Sequence, residues 1–237
     1  MLGIVIPAHN EEQDIGACVD AARRAGRHPA LLGEQVDVLV VLDSCTDATA
    51  VRAAQAGAHT LSVRAQNVGA ARAAGAEALL ARQARWLAFT DADTVVSETW
   101  LVEQLALGAE AVCGSIGVDD WSHHGVHADL IHAHFLETYS DIDGHRHIHG
   151  ANMGVSADAY RKAGGFRHLA CSEDVAFVRA LEAAGVTIAW SAKPRVVTSA
   201  RREARASGGF ADALLNAIAM RLASPALPTG AGLPVAG

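Results

Sequence analysis

Cysteine is scarce in this 237-residue chain, and there is no excess of positive charge. The four cysteines, Cys18, Cys45, Cys113 and Cys171, are widely spaced and form no Cys-x-x-Cys pair. That spacing argues against a zinc site or a disulfide framework and favours a reducing compartment, the cytoplasm. The formal net charge is −7, from 19 Lys and Arg against 26 Asp and Glu, so nucleic acid is not an expected partner.

Long apolar runs are also missing. None reaches the ~18–20 residues that a membrane-spanning helix needs, so we expect no integral membrane segment. Met1 leads directly into a strand-like run, and we expect no signal peptide. Hydrophobic residues still make up 51% of the chain, which is enough for a sizeable core in one large domain or two small ones.

Strand and helix patterns alternate through the first half of the chain. Apolar runs predict strands at Leu2–Ile6, Val36–Leu42, His59–Arg64 and Trp86–Thr90. Helices are predicted between them at Glu11–Ala25, Asp47–Ala56 and Gly69–Ala84. This series predicts a parallel sheet with helices on both faces, and ligands of such sheets bind at the carboxyl ends of the strands.

The second half of the chain is less regular. Its patterns predict helices at Ser97–Leu107, Ala157–Ala163, Glu173–Ala184 and Gly209–Leu222. They predict strands at Ala111–Gly117, His149–Val155, Val186–Trp190 and Arg195–Thr198. Residues Asp119–His149 are polar and rich in histidine, and the tail from Ser224, rich in Pro, Gly and Ala, is expected to be frayed.

Two carboxylates follow the strand-like run Trp86–Thr90, in the order Asp91-Ala92-Asp93. In a strand, residues i and i+2 point to the same side, so these like charges repel unless a positive charge lies between them. A hard divalent cation that carries phosphate oxygens is the natural partner. A solvated turn or a helix N-cap is the alternative interpretation of the same three residues.

Polar residues follow the other predicted strands as well. The first strand runs into the turn Pro7-Ala8-His9-Asn10-Glu11. Asp43 ends the second strand, where it can accept hydrogen bonds from a base or a ribose, and Arg72 on the third helix could reach a diphosphate. The plainer alternatives are a strand–turn–helix connection, a cap at Thr46 or Asp47, and a solvated surface arginine.

These segments, in this order and ahead of Asp91-Ala92-Asp93, closely resemble the family 2 glycosyltransferases of GT-A fold. Two further segments continue the resemblance over roughly residues 2–200. The segment Gly150–Val155, with Asn152, is similar to the family's acceptor-side strand. Gly164-Gly165-Phe166, followed by Glu173-Asp174, is similar to its catalytic segment.

The resemblance implies an α/β fold of GT-A type in a single domain over residues 1–223. Within it, residues 1–95 would form a Rossmann-like parallel nucleotide-binding half, residues 96–223 a smaller mixed acceptor-side half, and residues 224–237 a flexible tail. The implied activity is transfer of a sugar, with inversion, from a nucleotide diphosphate to an acceptor hydroxyl. A UDP-sugar is the favoured donor, while the acceptor and the oligomeric state are left open.

The resemblance also implies roles for particular residues. The nucleotide would contact Pro7, Ala8, His9, Asn10, Glu11, Asp43, Asn67, Arg72, Asp91 and Ala92. A divalent metal, Mn²⁺ or Mg²⁺, would be held by Asp93 and Asp91, where it acts as a Lewis acid on the leaving diphosphate. Asp174 would be the general base, with Glu173 as the second choice. Acids enriched in the first turn of a helix are the alternative explanation of that pair.

Some positions depart from the family pattern. The usual Ala-Arg-Asn-x-Gly reads Ala71-Arg72-Ala73-Ala74-Gly75 here, so its asparagine is missing. Many relatives carry a metal-binding histidine shortly after the late strand, where this chain has Arg201 and Arg202. The metal is therefore expected to have carboxylate, phosphate and water ligands, and Arg201 or Arg202 to meet the diphosphate. Asn152 is a further candidate for contact with the acceptor or the diphosphate.

Three other interpretations fit parts of the same sequence. A nucleotidyltransferase also binds a nucleotide near paired carboxylates, but the first turn lacks the Gly-rich loop and basic residue that usually grip a triphosphate. A silent nucleotide-sugar binding module would have no need of both Asp-x-Asp and Glu173-Asp174. The eight histidines between His123 and His149 could bind zinc, but sugar contacts or solvated loop positions are favoured over a dedicated site.

Overall fold

The computed structural model describes residues 1–169 and 171–201 of the chain. Its strands are β1 Leu2–Ala8, β2 Val36–Asp43, β3 His59–Val63, β4 Trp86–Phe89, β5 Thr94–Val96, β6 Ala111–Gly114, β7 Met153–Ser156, β8 Ile188–Ser191 and β9 Val196–Thr198. Its α-helices are α1 Ile15–Gly26, α2 Thr49–Gln55, α3 Val68–Ala81, α4 Trp100–Ala106, α5 Ala128–Thr138, α6 Ala157–Ala163 and α7 Glu173–Ala183. Short 3-10 helices lie at Pro29–Leu31 and Ser122–His127. Arg202, the predicted final helix and the tail lie outside the described residues.

A seven-stranded sheet forms the centre of the fold, in the order β3-β2-β1-β4-β7-β6-β8. Strands β1 to β4 are parallel to one another. Strand β7 is antiparallel to both β4 and β6, and β8 is parallel to β6. The α/β fold class and the mostly parallel sheet are thus confirmed, whereas the predicted division into halves at residue 95 stays a prediction.

Helices cover both faces of this sheet because alternate residues of each strand point to opposite sides. On β1, Leu2, Ile4 and Ile6 pack towards α1 and α4. On the same strand, Val5 packs towards α3, α6 and α7. The two resulting apolar layers hold the sheet between them, and they leave its carboxyl-terminal edge as the place where polar turns collect.

The first helix begins later than the sequence predicts. We expected it to start at Glu11, but α1 begins at Ile15. The backbone N–H of Glu11 donates to Thr49 Oγ1 at 2.8 Å, and that of Glu12 donates to an Asp47 carboxylate oxygen at 3.1 Å. These bonds tie the turn after β1 to the turn after β2, so residues 10–14 form a loop at the sheet edge.

Strand β5 and helix α5 were not predicted from the sequence. Strand β5 pairs antiparallel with β9 in a separate two-stranded ribbon, and its three residues are too few to show a periodic pattern. Helix α5 lies inside the segment that we described only as polar and histidine-rich. Its Ile131 and Phe135, four residues apart, pack with Trp121, a short apolar pattern that the surrounding polar residues obscured. Within the described part of the chain, no helix is long and apolar enough to cross a membrane.

Asn152, just before β7, connects three parts of the fold from a fully buried position. Its side-chain oxygen accepts from Trp100 Nε1 at 2.8 Å, and its amide nitrogen donates to the carbonyls of Ser115 and Pro194 at 2.7 and 2.9 Å. We considered Asn152 as a contact for the acceptor or the diphosphate, and that role stays a prediction. In the structure, the hydrogen bonds of this buried side chain join α4 to two loops.

We expect Asn152→Ala to destabilise the fold by about 2–5 kcal/mol, because the change leaves a buried indole N–H and two buried carbonyls without their partner. Thermal and urea unfolding would measure the loss. Gln55→Ala, which removes an exposed amide from α2, is the matched control and should change the free energy of unfolding by less than about 0.5 kcal/mol. Equal stability of the two variants would contradict the structural role of Asn152.

Candidate active site

The turns after β1 and β2 meet at the carboxyl-terminal edge of the sheet. Pro7 and Ala8 are the last residues of β1, and both are buried. His9 Nδ1 lies 2.6 Å from the backbone oxygen of Asp43. Asn10, with φ of +54°, accepts a hydrogen bond from the backbone N–H of Thr46 at 2.8 Å. The predicted nucleotide-binding turn is therefore fixed against the end of β2.

Asp43 shapes the loop that leads into α3. Its carboxylate accepts hydrogen bonds from the backbone N–H groups of Ala65, Gln66 and Asn67 at 2.8–2.9 Å. Burial favours the protonated form, but these hydrogen bonds outweigh it and hold the pKa of Asp43 below its ordinary value. The aspartate is thus fixed as an anion at the strand end, and its contact with a base or ribose stays a prediction.

Asn67 begins α3 by capping it. Its side-chain oxygen accepts from the backbone N–H of Ala70 at 2.9 Å, which is the usual role of an asparagine at this position. Any contact of Asn67 with a nucleotide remains a prediction beside this cap.

Arg72 is almost completely buried, with 3% of its surface exposed, so the alternative of a solvated surface arginine is wrong. Its Nη2 donates to the Asp91 carboxylate at 2.5 Å, and its Nη1 donates to Glu173. Gly150 permits this arrangement, since a Cβ atom at that position would lie 2.2 Å from Arg72 Nη2. One guanidinium therefore joins the Asp-x-Asp segment to the first turn of α7.

A second arginine holds the other carboxylate of the Asp-x-Asp segment. Arg201 donates from Nη1 and Nη2 to the two carboxylate oxygens of Glu11, at 2.6 and 2.8 Å. Its Nη2 also lies 3.1 Å from Asp93 Oδ2. Sequence reasoning assigned Arg201 to a diphosphate and did not find this contact, because Glu11 and Arg201 are 190 residues apart.

Negative charge predominates around Asp93. Burial raises the pKa of Asp93 to about 6 against the attraction of Arg201. Three further carboxylates add to the rise: Asp91, Glu11 and Asp14. Such a cluster favours an additional cation, and carboxylate oxygens are the hard ligands that Mg²⁺ and Mn²⁺ prefer.

The donor set is compatible with a divalent metal that also takes phosphate oxygens. Among the described residues, no three His, Cys, Asp or Glu side chains are grouped so that they could hold a metal on their own. Asp93 would supply a carboxylate, while Asp91 is already engaged by Arg72. The chemistry of the site therefore fits a metal that arrives with a diphosphate.

Asp174 lies in the first turn of α7, beside Glu173. Glu173 is buried and ion-paired with Arg72, whereas Asp174 is partly exposed. One oxygen of Asp174 accepts from the backbone N–H of Gly150 at 2.9 Å, and the other accepts from that of Val175 at 2.7 Å. The two acids thus have different surroundings, and Asp174 is the one with access to a ligand.

Tyr139, near this edge, was not singled out from the sequence, whereas its partner His149 is one of the eight histidines considered for zinc. His149 Nε2 lies 3.0 Å from the hydroxyl oxygen of Tyr139, and the Tyr139 ring stacks on His147 with the ring centres 4.1 Å apart. Burial, with smaller effects from His147 and His145, lowers the pKa of His149 to about 4, so this imidazole is neutral at pH 7. The pairing of Tyr139 with the histidine run gave no periodic signal in the sequence.

Comparison with known proteins identifies the family. Residues 3–164 match the family described as Glycosyl transferase family 2. The glucosyl-3-phosphoglycerate synthase of Mycolicibacterium smegmatis is 33% identical over 121 residues, which cover 48% of this chain and 38% of that protein. The chain thus matches well under half the length of this relative.

Solved structures share the fold. S. aureus TarS in complex with UDP-GlcNAc has a TM-score of 0.64 at 13% identity, covering 96% of this chain and 68% of TarS. Glucosyl-3-phosphoglycerate synthase from Mycobacterium tuberculosis, with Mg²⁺ and UDP, has a TM-score of 0.57 at 19% identity, covering 98% and 82%. The predicted GT-A fold is therefore confirmed. With the family pattern present over more than half of its length, the chain belongs to glycosyl transferase family 2.

Proposed function

We propose that the chain transfers a sugar from a UDP-sugar to an acceptor hydroxyl with inversion at the anomeric carbon. The observation that carries the proposal is the convergence of Asp91 and Glu173 on the buried Arg72 guanidinium. It brings the leaving-group side of the site, at the end of β4, next to the acids at the start of α7. Transfer between a diphosphate and a hydroxyl needs both at one location.

The nucleotide would lie over the carboxyl ends of β1 and β2. His9 is held there by the backbone oxygen of Asp43 and Asn10 by the backbone N–H of Thr46, so the turn is ordered before a ligand arrives. The UDP complexes of TarS and of the mycobacterial synthase, which share this fold, support uridine as the base. Ala92, Asn67 and Arg72 complete the proposed nucleotide side.

A divalent cation, Mg²⁺ or Mn²⁺, would be held by Asp93, with Asp91 close by. When bound, it would supply Lewis-acid stabilisation of the negative charge that develops on the leaving diphosphate. Asp93 suits this role because it is ionised near neutral pH in the presence of a cation and has only one contact to Arg201. The Mg²⁺ and UDP in the mycobacterial structure support the assignment.

Asp174 would take the proton of the acceptor hydroxyl. The Gly150 N–H holds one of its oxygens, which orients the carboxylate, while its partial exposure gives an acceptor access to it. Glu173 is a poorer base, because its negative charge is neutralised by Arg72 in a buried ion pair. A carboxylate that removes the proton directly from the acceptor corresponds to a single displacement, and hence to inversion.

A first donor and acceptor pair can be chosen from the relatives. Two of them are named glucosyl-3-phosphoglycerate synthases, and one was solved with phosphoglyceric acid, so UDP-glucose and 3-phosphoglycerate form a rational starting pair. We propose the cytoplasm as the compartment, since all four cysteines are free and Cys18 and Cys113 are buried thiols.

Asp43→Ala should weaken UDP binding by about 1–3 kcal/mol with or without metal, because it removes the anion that organises residues 65–67. Calorimetry with UDP, GDP and CDP would measure both the loss and the base preference. Asp37→Ala, at the opposite end of β2, is the control and should leave nucleotide binding unchanged. Equal affinity of the parent for the three nucleotides would contradict the uridine assignment.

Asp93→Asn should remove the dependence of UDP binding on Mn²⁺. Loss of an outer-shell partner typically lowers metal affinity roughly 10–100-fold. Loss of Asp93, as a direct ligand, should lower it at least as much. Isothermal titration of UDP with and without Mn²⁺ measures the difference. Asp20→Asn, an exposed carboxylate on α1, should behave like the parent. Retention of the full Mn²⁺ effect in Asp93→Asn would refute the assignment.

Asp174→Asn should lower the turnover rate about 10²–10⁴-fold and leave UDP affinity nearly unchanged, because the amide keeps the shape and cannot take the proton. Steady-state rates and calorimetry separate the two effects. Asp158→Asn, which changes the corresponding first-turn acid of α6, is the matched control and should keep the parent rate.

Two outcomes would contradict the proposed mechanism. Near-normal turnover in Asp174→Asn together with an inactive but folded Glu173→Gln would show that Glu173 is the base. A product that retains the anomeric configuration of the donor would refute the single displacement, whichever acid is the base.

The two rival functions predict different products. A nucleotidyltransferase would release pyrophosphate from a nucleoside triphosphate, and a silent module would bind UDP-sugar without consuming it.

A further inference from the structure

Arg201 occupies a place where the proposed chemistry requires a cation. Its guanidinium bridges Glu11 and Asp93, which are 5% and 11% exposed, at the edge where β1 and β4 end. The side chain of Arg201 is itself 22% exposed, so it lies at the surface of this cluster. The only carboxylate of the Asp-x-Asp pair that Arg72 does not hold is therefore held by Arg201.

The contacts of Arg201 are unequal. Two charge-assisted hydrogen bonds, at 2.6 and 2.8 Å, join it to Glu11 in the forked geometry that arginine favours with carboxylates. A single contact of 3.1 Å joins it to Asp93. The contact to Asp93 can therefore open while the two hydrogen bonds to Glu11 keep the guanidinium next to the proposed metal site.

We propose that Arg201 is a built-in counter-ion that occupies Asp93 in the ligand-free protein and competes with the divalent metal for it. The inference rests on the proposed function, since it assumes that Asp93 takes the metal. Binding of metal and nucleotide then displaces the guanidinium from Asp93. Glu11 holds the displaced group beside the site, where its free N–H donors match the oxygens of a diphosphate.

In such competition, the apparent association constant for the metal equals the intrinsic constant multiplied by the fraction of time that Asp93 is free of Arg201. A contact that is closed about nine-tenths of the time weakens apparent binding about tenfold. Because metal binding and release of Arg201 are linked, any change that loosens the guanidinium tightens the metal. A purely electrostatic effect of Arg201 on metal binding makes a different prediction. It depends on the positive charge at position 201 and not on the paired hydrogen bonds to Glu11.

Two substitutions separate these explanations. Arg201→Ala removes both the charge and the contact, whereas Arg201→Lys keeps the charge but cannot make the two-oxygen fork to Glu11 and reach Asp93 together. With competition, Mn²⁺ should bind about tenfold more tightly to Arg201→Ala and detectably more tightly to Arg201→Lys. If only the electrostatic field of the charge at position 201 matters, Arg201→Lys should bind Mn²⁺ with the same affinity as the parent.

The measurement is the free Mn²⁺ signal in electron paramagnetic resonance, titrated against the 237-residue chain at a fixed, saturating UDP concentration. It does not depend on turnover. Arg24→Ala, which removes an exposed arginine of α1, is the charge-matched control and should leave the Mn²⁺ dissociation constant unchanged. Thermal unfolding of each variant checks that the fold is kept.

The outcomes are distinct. Tighter Mn²⁺ binding in both Arg201 variants supports the inference. Parent-like or weaker binding in Arg201→Ala, or parent-like binding in Arg201→Lys beside tighter binding in Arg201→Ala, overturns it and leaves the proposed function standing. If neither the parent nor any variant binds Mn²⁺ with UDP, the metal part of the proposed function fails and the inference fails with it.

Discussion

The buried guanidinium of Arg72 is the interaction on which the site depends. Removing an arginine from water is costly, and the cost is offset only when carboxylates satisfy the charge in good geometry. Here Asp91 and Glu173 do so from two elements that are far apart in sequence. Loss of Arg72 would leave the buried carboxylate of Glu173 without its counter-charge, which typically costs about 3–5 kcal/mol. The end of β4 and the start of α7 are therefore fixed relative to each other.

This ion pair gives the four acids of the two acidic pairs, Asp91 with Asp93 and Glu173 with Asp174, different partners. Asp91 and Glu173 are used in the ion pair with Arg72, which leaves Asp93 and Asp174 as the members of their pairs with capacity for a ligand. The sequence shows two acidic pairs without distinguishing their members. The structure distinguishes them through burial and partners: Arg72 donates hydrogen bonds to Asp91 and Glu173, whereas Asp93 has a single contact to Arg201 and Asp174 accepts from backbone N–H groups. Different surroundings for neighbouring carboxylates thus follow from one arginine.

Much of this fold could be predicted because its signals are local. The alternating runs of the first half locate β1 to β4 and the helices between them, and the polar turns fall at the strand ends as the parallel arrangement requires. The burial of Arg72 was missed because α3 is rich in alanine and has little amphipathic pattern. A signal was nevertheless present: Gly69, Arg72, Ala76 and Leu79 lie along one stripe of the helix, and all are buried. A single arginine in an apolar stripe indicates an internal ion pair.

Contacts between distant residues could not be predicted from patterns of this kind. Neither the ties of Asn152 nor the fork between Arg201 and Glu11 has a periodic signature, since each partner lies in a loop or at the end of an element. A departure from the family pattern was the useful clue for Arg201, because a missing metal-binding histidine implies that something else meets the carboxylates. An arginine cannot coordinate a metal, since its guanidinium is always protonated and offers donors only. A guanidinium on Asp93 therefore offsets part of the negative charge of the ligand-free site, and a metal and donor would have to bring enough binding energy to replace it.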